Sequence, residues 1–171
     1  MLRRFRLPGN PTSIVIGPDA TNALASELDA LGARRALVLS TPGREPDAKK
    51  LAASIGARAA GVLATAKEHV PIELAREARL SAKAAGADAL VALGGGSTIG
   101  LAKAIALEHP ARIVVVPTTY SGSEMTPIWG LSEAGTKRTG RDERVRAAAV
   151  LYDPGLTLAL PARIGVPIVL K

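Results

Sequence analysis

Two kinds of apolar pattern alternate along this chain. Short, nearly continuous apolar runs of strand length occupy residues 13–16, 35–39, 60–63, 90–93 and 113–116. Between them lie longer segments in which apolar residues recur at helical spacing, so helices are predicted over residues 19–31, 45–55, 72–85 and 99–107. Strands that alternate with helices over short connections indicate an α/β domain with a doubly wound, mostly parallel sheet.

The ends of the predicted helices carry recognisable capping residues. Asp19 or Thr21 is the expected N-cap of the first helix, and Gly32 follows its last turn. Pro71 stands where the third helix begins, and Gly86 stands just beyond its end. The glycines therefore mark the points at which the chain leaves one helix for the next strand.

A glycine run follows the fourth predicted strand. Gly94, Gly95 and Gly96 are succeeded by Ser97 and Thr98, which open the next helix. Glycines let a backbone approach an anion closely, and the unpaired amides and dipole at a helix start favour negative charge. The run is typical of a phosphate-binding turn, and the alternative is a plain tight turn between strand and helix.

Hydroxyl side chains follow three of the predicted strands. They lie in residues 40–42 after the second strand, 97–98 after the fourth and 117–123 after the fifth. Ligands of open α/β sheets bind outside the carboxyl ends of the strands, where such hydroxyls can bond to ribose, phosphate and amide groups. The alternative for each hydroxyl is a role in turn formation or helix capping.

The composition excludes several kinds of chemistry. The chain has no cysteine, so disulfides, thiolate catalysis and cysteine-type zinc sites are excluded. Hydrophobic residues make up 47% of the chain but aromatic residues only 2%, which suits closely packed sheet and helices better than an aromatic-rich sandwich. No apolar stretch is long enough to span a bilayer and no signal peptide opens the chain, so we expect a soluble, cytoplasmic protein with no membrane partner.

The net charge of +7 does not by itself indicate nucleic-acid binding. Most lysines and arginines are scattered through the predicted helices and turns, and there are few aromatic residues on which bases could stack. We therefore expect no nucleic-acid partner. One denser group could attract an anionic ligand into a cleft, and it comprises Lys137, Arg138, Arg141, Arg144 and Arg146.

Several motifs of this chain resemble those of the iron-containing alcohol dehydrogenase superfamily. The glycine run with Ser97 is followed by the related segments 116–119 and 121–124. Within the superfamily, residues 118–131, 139–142 and 151–154 are similar to the version found in maleylacetate reductases. The resemblance extends from about residue 6 to residue 160, and the chain also shares the superfamily's lack of a G-x-G-x-x-G sequence after the first strand.

The resemblance implies a reaction and a cofactor. Maleylacetate reductases reduce the carbon–carbon double bond of maleylacetate to give 3-oxoadipate in the breakdown of aromatic compounds, using NADH or NADPH. No acidic residue ends the second strand, which fits tolerance of the 2′-phosphate of NADPH, and the preference between the two cofactors stays open. The resemblance further implies a homodimer for the full-length enzyme and a dicarboxylate as its small-molecule substrate.

Site residues follow from the resemblance position by position. The pyrophosphate would be held by Gly94, Gly95, Gly96, Ser97 and Thr98. The adenine and nicotinamide side would be lined by Thr118, Thr119 and Ser121. Ser40 and Thr41 would face the adenosine ribose, and Lys137 would approach the nicotinamide ribose.

Departures from the superfamily pattern narrow these expectations. Metal-dependent alcohol dehydrogenases usually carry an aspartate at the position of Gly100, whereas maleylacetate reductases lack it, as this chain does. Residues 1–161 are expected to form the cofactor-binding domain, and residues 162–171 to be a divergent tail in place of the usual all-helical second domain. That domain carries the family's metal ligands or catalytic histidine, so no catalytic or metal-binding residue is assigned here, and neither His69 nor His109 is in a suitable motif.

The chain alone is therefore expected to have little or no activity and to bind no metal. Two alternatives remain at this stage. One is a fragment of a metal-dependent alcohol dehydrogenase of the same superfamily. The other is a complete, non-catalytic nucleotide-binding module.

Overall fold

A seven-stranded sheet forms the centre of the molecule, which a computed structural model describes over residues 1–6 and 9–158. Its strands are β1 (Arg3–Arg6), β2 (Ser13–Ile16), β3 (Ala36–Leu39), β4 (Ala59–Leu63), β5 (Ala89–Gly94), β6 (Arg112–Pro117) and β9 (Ala147–Tyr152). They lie in the order β1-β2-β9-β6-β5-β3-β4, and every neighbouring pair is parallel except β1 with β2. The predicted mostly parallel sheet is confirmed.

Helices cover both faces of this sheet. They are α1 (Leu24–Ala30), α2 (Glu45–Ser54), α3 (Ile72–Ala84) and α4 (Gly96–Ala106). In β3, Leu37 and Leu39 join the core beneath α3 and α4, whereas Val38 joins the core beneath α1 and α2. Successive side chains of a strand point to opposite faces, so a continuous apolar run is buried on both sides. The doubly wound architecture is therefore confirmed.

The direction of winding reverses between β3 and β5. From β3 the chain passes through α2 to the edge strand β4, whereas from β5 it passes through α4 to β6 on the other side. The two crossover helices lie on opposite faces, so a crevice opens between them at the carboxyl ends of β3 and β5. Such topological switch points are where open α/β sheets bind their ligands.

A hairpin stands apart from the main sheet and packs on α4. Its strands β7 (Ile128–Glu133) and β8 (Thr136–Arg141) are antiparallel, and Ala134 and Gly135 between them both have positive φ. Two positive φ values in succession are typical of the tight hairpin turn that matches strand twist. The amide of Ser132 in β7 donates to the carbonyl oxygen of Val70 at 3.1 Å, which ties the hairpin to the loop before α3.

Several details differ from the sequence prediction. Strands β1, β7, β8 and β9 are not among the predicted ones, and β9 lies in the middle of the sheet between β2 and β6. The helix predicted over residues 19–31 is a 3₁₀ turn at Ala20–Ala23 followed by α1. The predicted cap is wrong, because Asp19 is in the left-handed conformation and neither it nor Thr21 makes a capping hydrogen bond.

The remaining helices match their predictions more closely. Pro71 is the N-cap of α3, and Gly32 and Gly86 have positive φ just beyond α1 and α3. Helix α4 begins at Gly96, so Ser97 and Thr98 belong to its first turn. No helix in the described part of the chain is long and apolar enough to cross a bilayer. The domain boundary predicted at residue 161 and the tail 162–171 lie outside the described residues.

Candidate functional site

The glycine turn joins β5 to α4 at the carboxyl edge of the sheet, beside the switch point. Gly95 precedes the helix, and its carbonyl oxygen accepts hydrogen bonds from the amides of Thr98 and Ile99, each at 3.1 Å. Within the described residues, the amides of Gly96 and Ser97 donate to no protein atom. They are thus available to bind an anion at the positive end of the helix dipole.

Two of the three glycines are required by packing around the turn. A Cβ atom on Gly94 would lie 2.3 Å from Oγ1 of Thr98, and one on Gly95 would lie 2.5 Å from Oγ1 of Thr119. Both separations are far below van der Waals contact, so no side chain fits at either position. A Cβ atom on Gly96 would make only ordinary contacts with Ser121, at 3.8 Å or more, so packing does not require glycine at this position.

Hydroxyl side chains from the loop after β6 surround this turn. Thr118 is buried, and its amide donates to the carbonyl oxygen of Gly94 at 3.0 Å. Thr119 is half-buried against Gly95, and Ser121 is exposed. The structure therefore places the predicted site residues of β5, α4 and this loop together.

Ser40 and Thr41 occupy the other side of the switch point. The amide of Ser40 donates to the carbonyl oxygen of Leu63 at 3.1 Å, and its own carbonyl accepts from the amide of Ala66 at 3.0 Å. These bonds fix the end of β3 to the end of β4 and to the loop that follows it. The other neighbour of β3 in the sheet is β5. Ser40 is fully buried, whereas Thr41 is half-buried at the rim.

Buried hydroxyls without a partner lie just inside this rim. Among the described residues, Oγ of Ser40, Oγ1 of Thr65 and Oγ1 of Thr98 are buried and make no hydrogen bond. Such atoms are uncommon in folded proteins, and each carries a desolvation cost of about 1–3 kcal/mol. Two of the three flank the switch point, and a rim of orphaned hydroxyls and free amides fits a ribose–phosphate ligand.

A cleft of about 480 Å³ opens between the start of α4 and the hairpin. Lys137 of β8 lines this cleft together with Gly96 and Ser97, whereas Ser40 and Thr41 do not line it. The wall opposite the glycine turn is formed by the hairpin and the loop before α3, and it includes Glu68, His69, Val70, Ser123, Ile128, Trp129, Gly130 and Thr139. The predicted nicotinamide-side lysine thus faces the predicted phosphate site across open space.

A smaller hollow of about 230 Å³ lies on the opposite face of the sheet. Leu93 lines it directly before the glycine turn, and Leu51 and Leu156 add further apolar surface. Its polar residues are Thr21, Asn22, Asp47, Lys50 and Ser54. The glycine turn therefore separates two hollows, one on each face of the sheet.

Sequence reasoning did not identify Lys103 as part of this region. This lysine of α4 is only 1% exposed, and its Nζ atom donates to the carbonyl oxygens of Ser123, Thr126 and Ile128 at 2.7–2.8 Å. Burial lowers the pKa of Lys103 to about 8, the carboxylate of Glu124 opposes that shift, and the guanidinium of Arg146 adds to it. The available signal was a single lysine within the apolar run 99–107.

Glu124 and Tyr152 were also overlooked. The carboxylate of Glu124 is buried and accepts hydrogen bonds from the hydroxyl of Tyr152 at 3.0 Å and from that of Ser121 at 3.3 Å. Burial, with the adjacent carboxylate, raises the pKa of Tyr152 above its ordinary value, so the phenol stays protonated and keeps donating. The loop that carries Ser121 is therefore fastened to β9 as well as to α4.

The basic group of β8 and the residues just after it is largely neutralised by acidic neighbours. Arg144 contacts Asp142 at 2.7 Å, Arg146 contacts Glu143 at 2.6 Å, and Arg141 lies 3.6 Å from the same glutamate. The hydrogen bonds from Arg144 and Arg146 lower the pKa values of Asp142 and Glu143. Of the group predicted to attract an anion, Lys137 alone lines the cleft beside the glycine turn.

The two histidines occupy different places. Nε2 of His109 lies 2.6 Å from the carbonyl oxygen of Ala87, beyond the end of α4, so this ring has a structural contact. His69 is exposed at the cleft, in the left-handed conformation with φ of 61°. Within residues 1–6 and 9–158, no cluster of three or more histidine, aspartate or glutamate side chains could hold a metal ion.

Comparison with known proteins identifies the class of protein that this fold and rim define. The sequence profile described as iron-containing alcohol dehydrogenase matches residues 11–154. The chain therefore belongs to the iron-containing alcohol dehydrogenase family.

Individual relatives are more specific than the family. The chain is 58% identical over 153 residues to maleylacetate reductase of Burkholderia cepacia, which covers 90% of this chain and 44% of the relative. It is 50% identical over 157 residues to maleylacetate reductase 2 of Cupriavidus pinatubonensis, covering 92% and 44%. The crystal structure of maleylacetate reductase from Agrobacterium tumefaciens superimposes with a TM-score of 0.88 at 46% identity, covering 96% of this chain and 46% of that one. The chain thus spans less than half the length of the relatives it matches.

Proposed function

We propose that this chain binds NADH or NADPH across the carboxyl edge of its sheet, with the pyrophosphate on the amides of Gly96 and Ser97. The observation that carries this proposal is that these two amides are unpaired at the start of α4, directly at the topological switch point. The glycines at 94 and 95 support it, because they let Thr98 and Thr119 pack tightly enough to shape the turn.

The two halves of the dinucleotide would lie on either side of this turn. Thr41 would bond to the adenosine ribose at the end of β3, with Ser40 buried beneath it, and the apolar hollow lined by Leu93 would accept the adenine. The nicotinamide half would enter the larger cleft, where Lys137 approaches its ribose. Thr119 and Ser121, in the loop beside the glycine turn, would lie between the two halves, with Thr118 buried beneath them. Neither Ser40 nor Thr41, which directly follow β3, is acidic, so the site accommodates a 2′-phosphate as well as a 2′-hydroxyl.

We further propose that the complete enzyme reduces maleylacetate, the substrate in the names of its relatives, and that the product is 3-oxoadipate. When bound, the reduced nicotinamide supplies a hydride for the carbon–carbon double bond of the substrate. The described residues bind and orient that ring in the cleft, and Lys137 adds positive charge that favours a dicarboxylate. The proton donor and the opposite wall of the substrate site are assigned to the part of the enzyme outside residues 1–161, and the full-length enzyme is assigned as a homodimer.

The space beside Gly100 favours this assignment over a metal-dependent alcohol dehydrogenase. The methyl group of Val70 occupies the position that a side chain at residue 100 would take, since a Cβ atom there would lie 2.8 Å from Cγ2 of Val70. An aspartate at this position would displace the loop before α3. If the chain were only a nucleotide-binding module, adding the other half of a maleylacetate reductase would produce no turnover.

Titration of the purified chain with NADH and with NADPH, followed by nicotinamide fluorescence, tests the proposal. Saturable binding of at least one cofactor is expected, together with little or no oxidation of NADH when maleylacetate is added to this chain alone. If neither NADH nor NADPH bound, the proposed cofactor site would be refuted. Steady turnover by the 171-residue chain would refute the assignment of the proton donor to a part of the enzyme that this chain lacks.

A further inference from the structure

The ammonium group of Lys103 is the point on which three carbonyl groups of one loop converge. Its Nζ atom lies 2.7 Å from the carbonyl oxygen of Ser123, 2.8 Å from that of Thr126 and 2.7 Å from that of Ile128. An ammonium has three N–H groups, so each carbonyl receives one hydrogen bond. Three carbonyl dipoles aimed at one point repel each other unless a cation or donor stands there, so the loop conformation depends on this lysine.

Residues 123–128 connect the rim of the glycine turn to the hairpin. Ser121 and Gly122 precede them at the rim, and Ile128 begins β7, whose partner β8 carries Lys137. Within the segment, the backbone bonds from Met125 to Gly122 and from Thr126 to Ser123 close only short turns. The attachment to α4 is made by Lys103, and one of its three N–H groups is shared with Oγ of Ser123, which lies 3.2 Å from Nζ.

The same segment is held from its other side by Glu124. Its buried carboxylate accepts from Tyr152 of β9, so the loop is fixed between α4 and β9. The charges of Glu124 and Arg146 act on Lys103 in opposite directions, and Glu68, His69 and Lys137 line the same cleft. The opposite charges of Lys103 and Glu124 therefore lock one short loop to two elements of the rigid core.

We propose that Lys103 is a positioning residue that sets the affinity for the nicotinamide half of the cofactor. By fixing residues 123–128 it fixes the hairpin, and so holds Lys137 across the cleft from the amides of Gly96 and Ser97. Lys103 also lines the cleft, but the three N–H groups of its buried ammonium are used by the loop carbonyls, so its role is exerted through the loop. This inference rests on the proposed cofactor site and adds a determinant of its nicotinamide side.

Comparison of two nucleotides separates this role from a general effect on folding. NADH reaches the cleft beside the hairpin, whereas ADP extends only to the pyrophosphate. In Lys103→Met the dissociation constant for NADH is expected to rise about tenfold, while that for ADP stays within about twofold of the wild-type value. Lys83→Met is the matched control, because Lys83 is an exposed lysine in the last turn of α3, and both affinities should be unchanged. Equal weakening of NADH and ADP, or no change in either, would overturn the proposal.

Amide hydrogen exchange tests the anchoring without any nucleotide. Amides of residues 123–131 should exchange about tenfold faster in Lys103→Met than in the wild-type chain, while those of β5 and β6 are unaffected. Unchanged exchange in this segment would overturn the anchoring role. If the wild-type chain bound neither NADH nor ADP, the proposed function would fail, and the exchange comparison would still decide the role of Lys103.

Covalent labelling of lysine amines in the wild-type chain provides a test that no substitution can confound. The buried amine of Lys103 should react about a hundredfold more slowly than the exposed amine of Lys83, and NADH should slow it further. Labelling of both lysines at the same rate would show that the loop is not anchored as described.

Discussion

The side chain of Val70 fills the space next to Gly100. A Cβ atom on Gly100 would lie 2.8 Å from Cγ2 of Val70, which itself has a positive φ of 40° and follows His69 at 61°. Two successive left-handed residues that are not glycine are strained, by about 1–3 kcal/mol each. The absence of a side chain at residue 100 lets this strained loop dock on α4 and forms one wall of the cleft.

This contact predicts the effect of Gly100→Ala. In an unobstructed helix interior the exchange would stabilise the protein by about 1 kcal/mol. Here the added methyl group meets Val70, and overpacking of this kind costs about 1–3 kcal/mol. We therefore expect the free energy of unfolding in urea to fall, and the double substitution Gly100→Ala with Val70→Ala to recover part of the loss.

Gly43→Ala is the control for that experiment. Gly43 is not among the glycines with a positive φ, and a Cβ atom on it would meet no other atom within 4 Å. The added methyl group therefore has open space, and the free energy of unfolding should change by no more than about 0.5 kcal/mol. A Gly100→Ala protein more stable than the wild type would show that Val70 does not occupy the space beside residue 100.

The glycine turn gives a second prediction. Gly95→Ala would place a methyl group 2.5 Å from Oγ1 of Thr119, so the turn must shift and the amides of Gly96 and Ser97 lose their alignment. We expect NADH binding to weaken about tenfold or more, measured by fluorescence titration. Adding Thr119→Ala should restore most of the affinity, because it removes the obstructing atoms. If Gly95→Ala bound NADH as the wild type does, the tight packing of this turn would not matter for binding.

The end of β3 gives a prediction about cofactor choice. Thr41→Asp would place a carboxylate where the adenosine ribose is proposed to lie, and a carboxylate there repels a 2′-phosphate. The affinity for NADPH should fall about tenfold relative to that for NADH. Thr41→Asn has nearly the same shape as Thr41→Asp without the charge and should leave the ratio of the two affinities unchanged. Equal effects of both substitutions on both cofactors would place the ribose elsewhere.

The pKa of Lys103 gives a pH dependence with a definite sign. A lysine has a pKa of about 10.4 in the unfolded chain, whereas burial lowers that of Lys103 to about 8 in the folded protein. Between these values the unfolded state binds the extra proton, so the free energy of unfolding rises with pH. Below pH 8 the lysine is charged in both states, and the cost of burying the charge is fully present.

Urea unfolding at pH 7, 8 and 9 checks this dependence. The wild-type chain should gain stability relative to Lys103→Met as the pH rises, because the variant lacks the titrating group. Taking the difference between the two proteins cancels the titration of groups that they share. A difference that stays constant across this range would contradict the lowered pKa.

Much of the sheet could be predicted from the sequence, because β3, β5 and β6 are continuous apolar runs that are buried on both faces. Strand β9 was missed because it opens with three alanines, which have little intrinsic preference for strands, and its place between β2 and β6 is set by tertiary pairing. The hairpin was missed because every residue of β8 except Gly140 is exposed, so no apolar alternation marks it.

The site likewise combines features that depend on contiguous residues with features that depend on contacts between residues far apart in the chain. The glycine turn is a contiguous sequence, and its unpaired amides follow from the local order of strand, glycines and helix. Lys103 could not be identified in this way, because its three partners lie 20–25 residues further along the chain and meet it only when the loop packs on α4. The prediction that Asp19 or Thr21 caps a helix failed because a 3₁₀ turn precedes α1.

The most direct test of the account is a titration of the isotopically labelled chain with NADH, followed by amide chemical shifts. The largest changes are expected at the amides of Gly95, Gly96 and Ser97, with smaller changes at Thr41, Thr119 and Lys137. Saturable shifts confined to other parts of the chain, or no shifts at millimolar NADH, would contradict the proposal that the glycine turn at the switch point holds the cofactor.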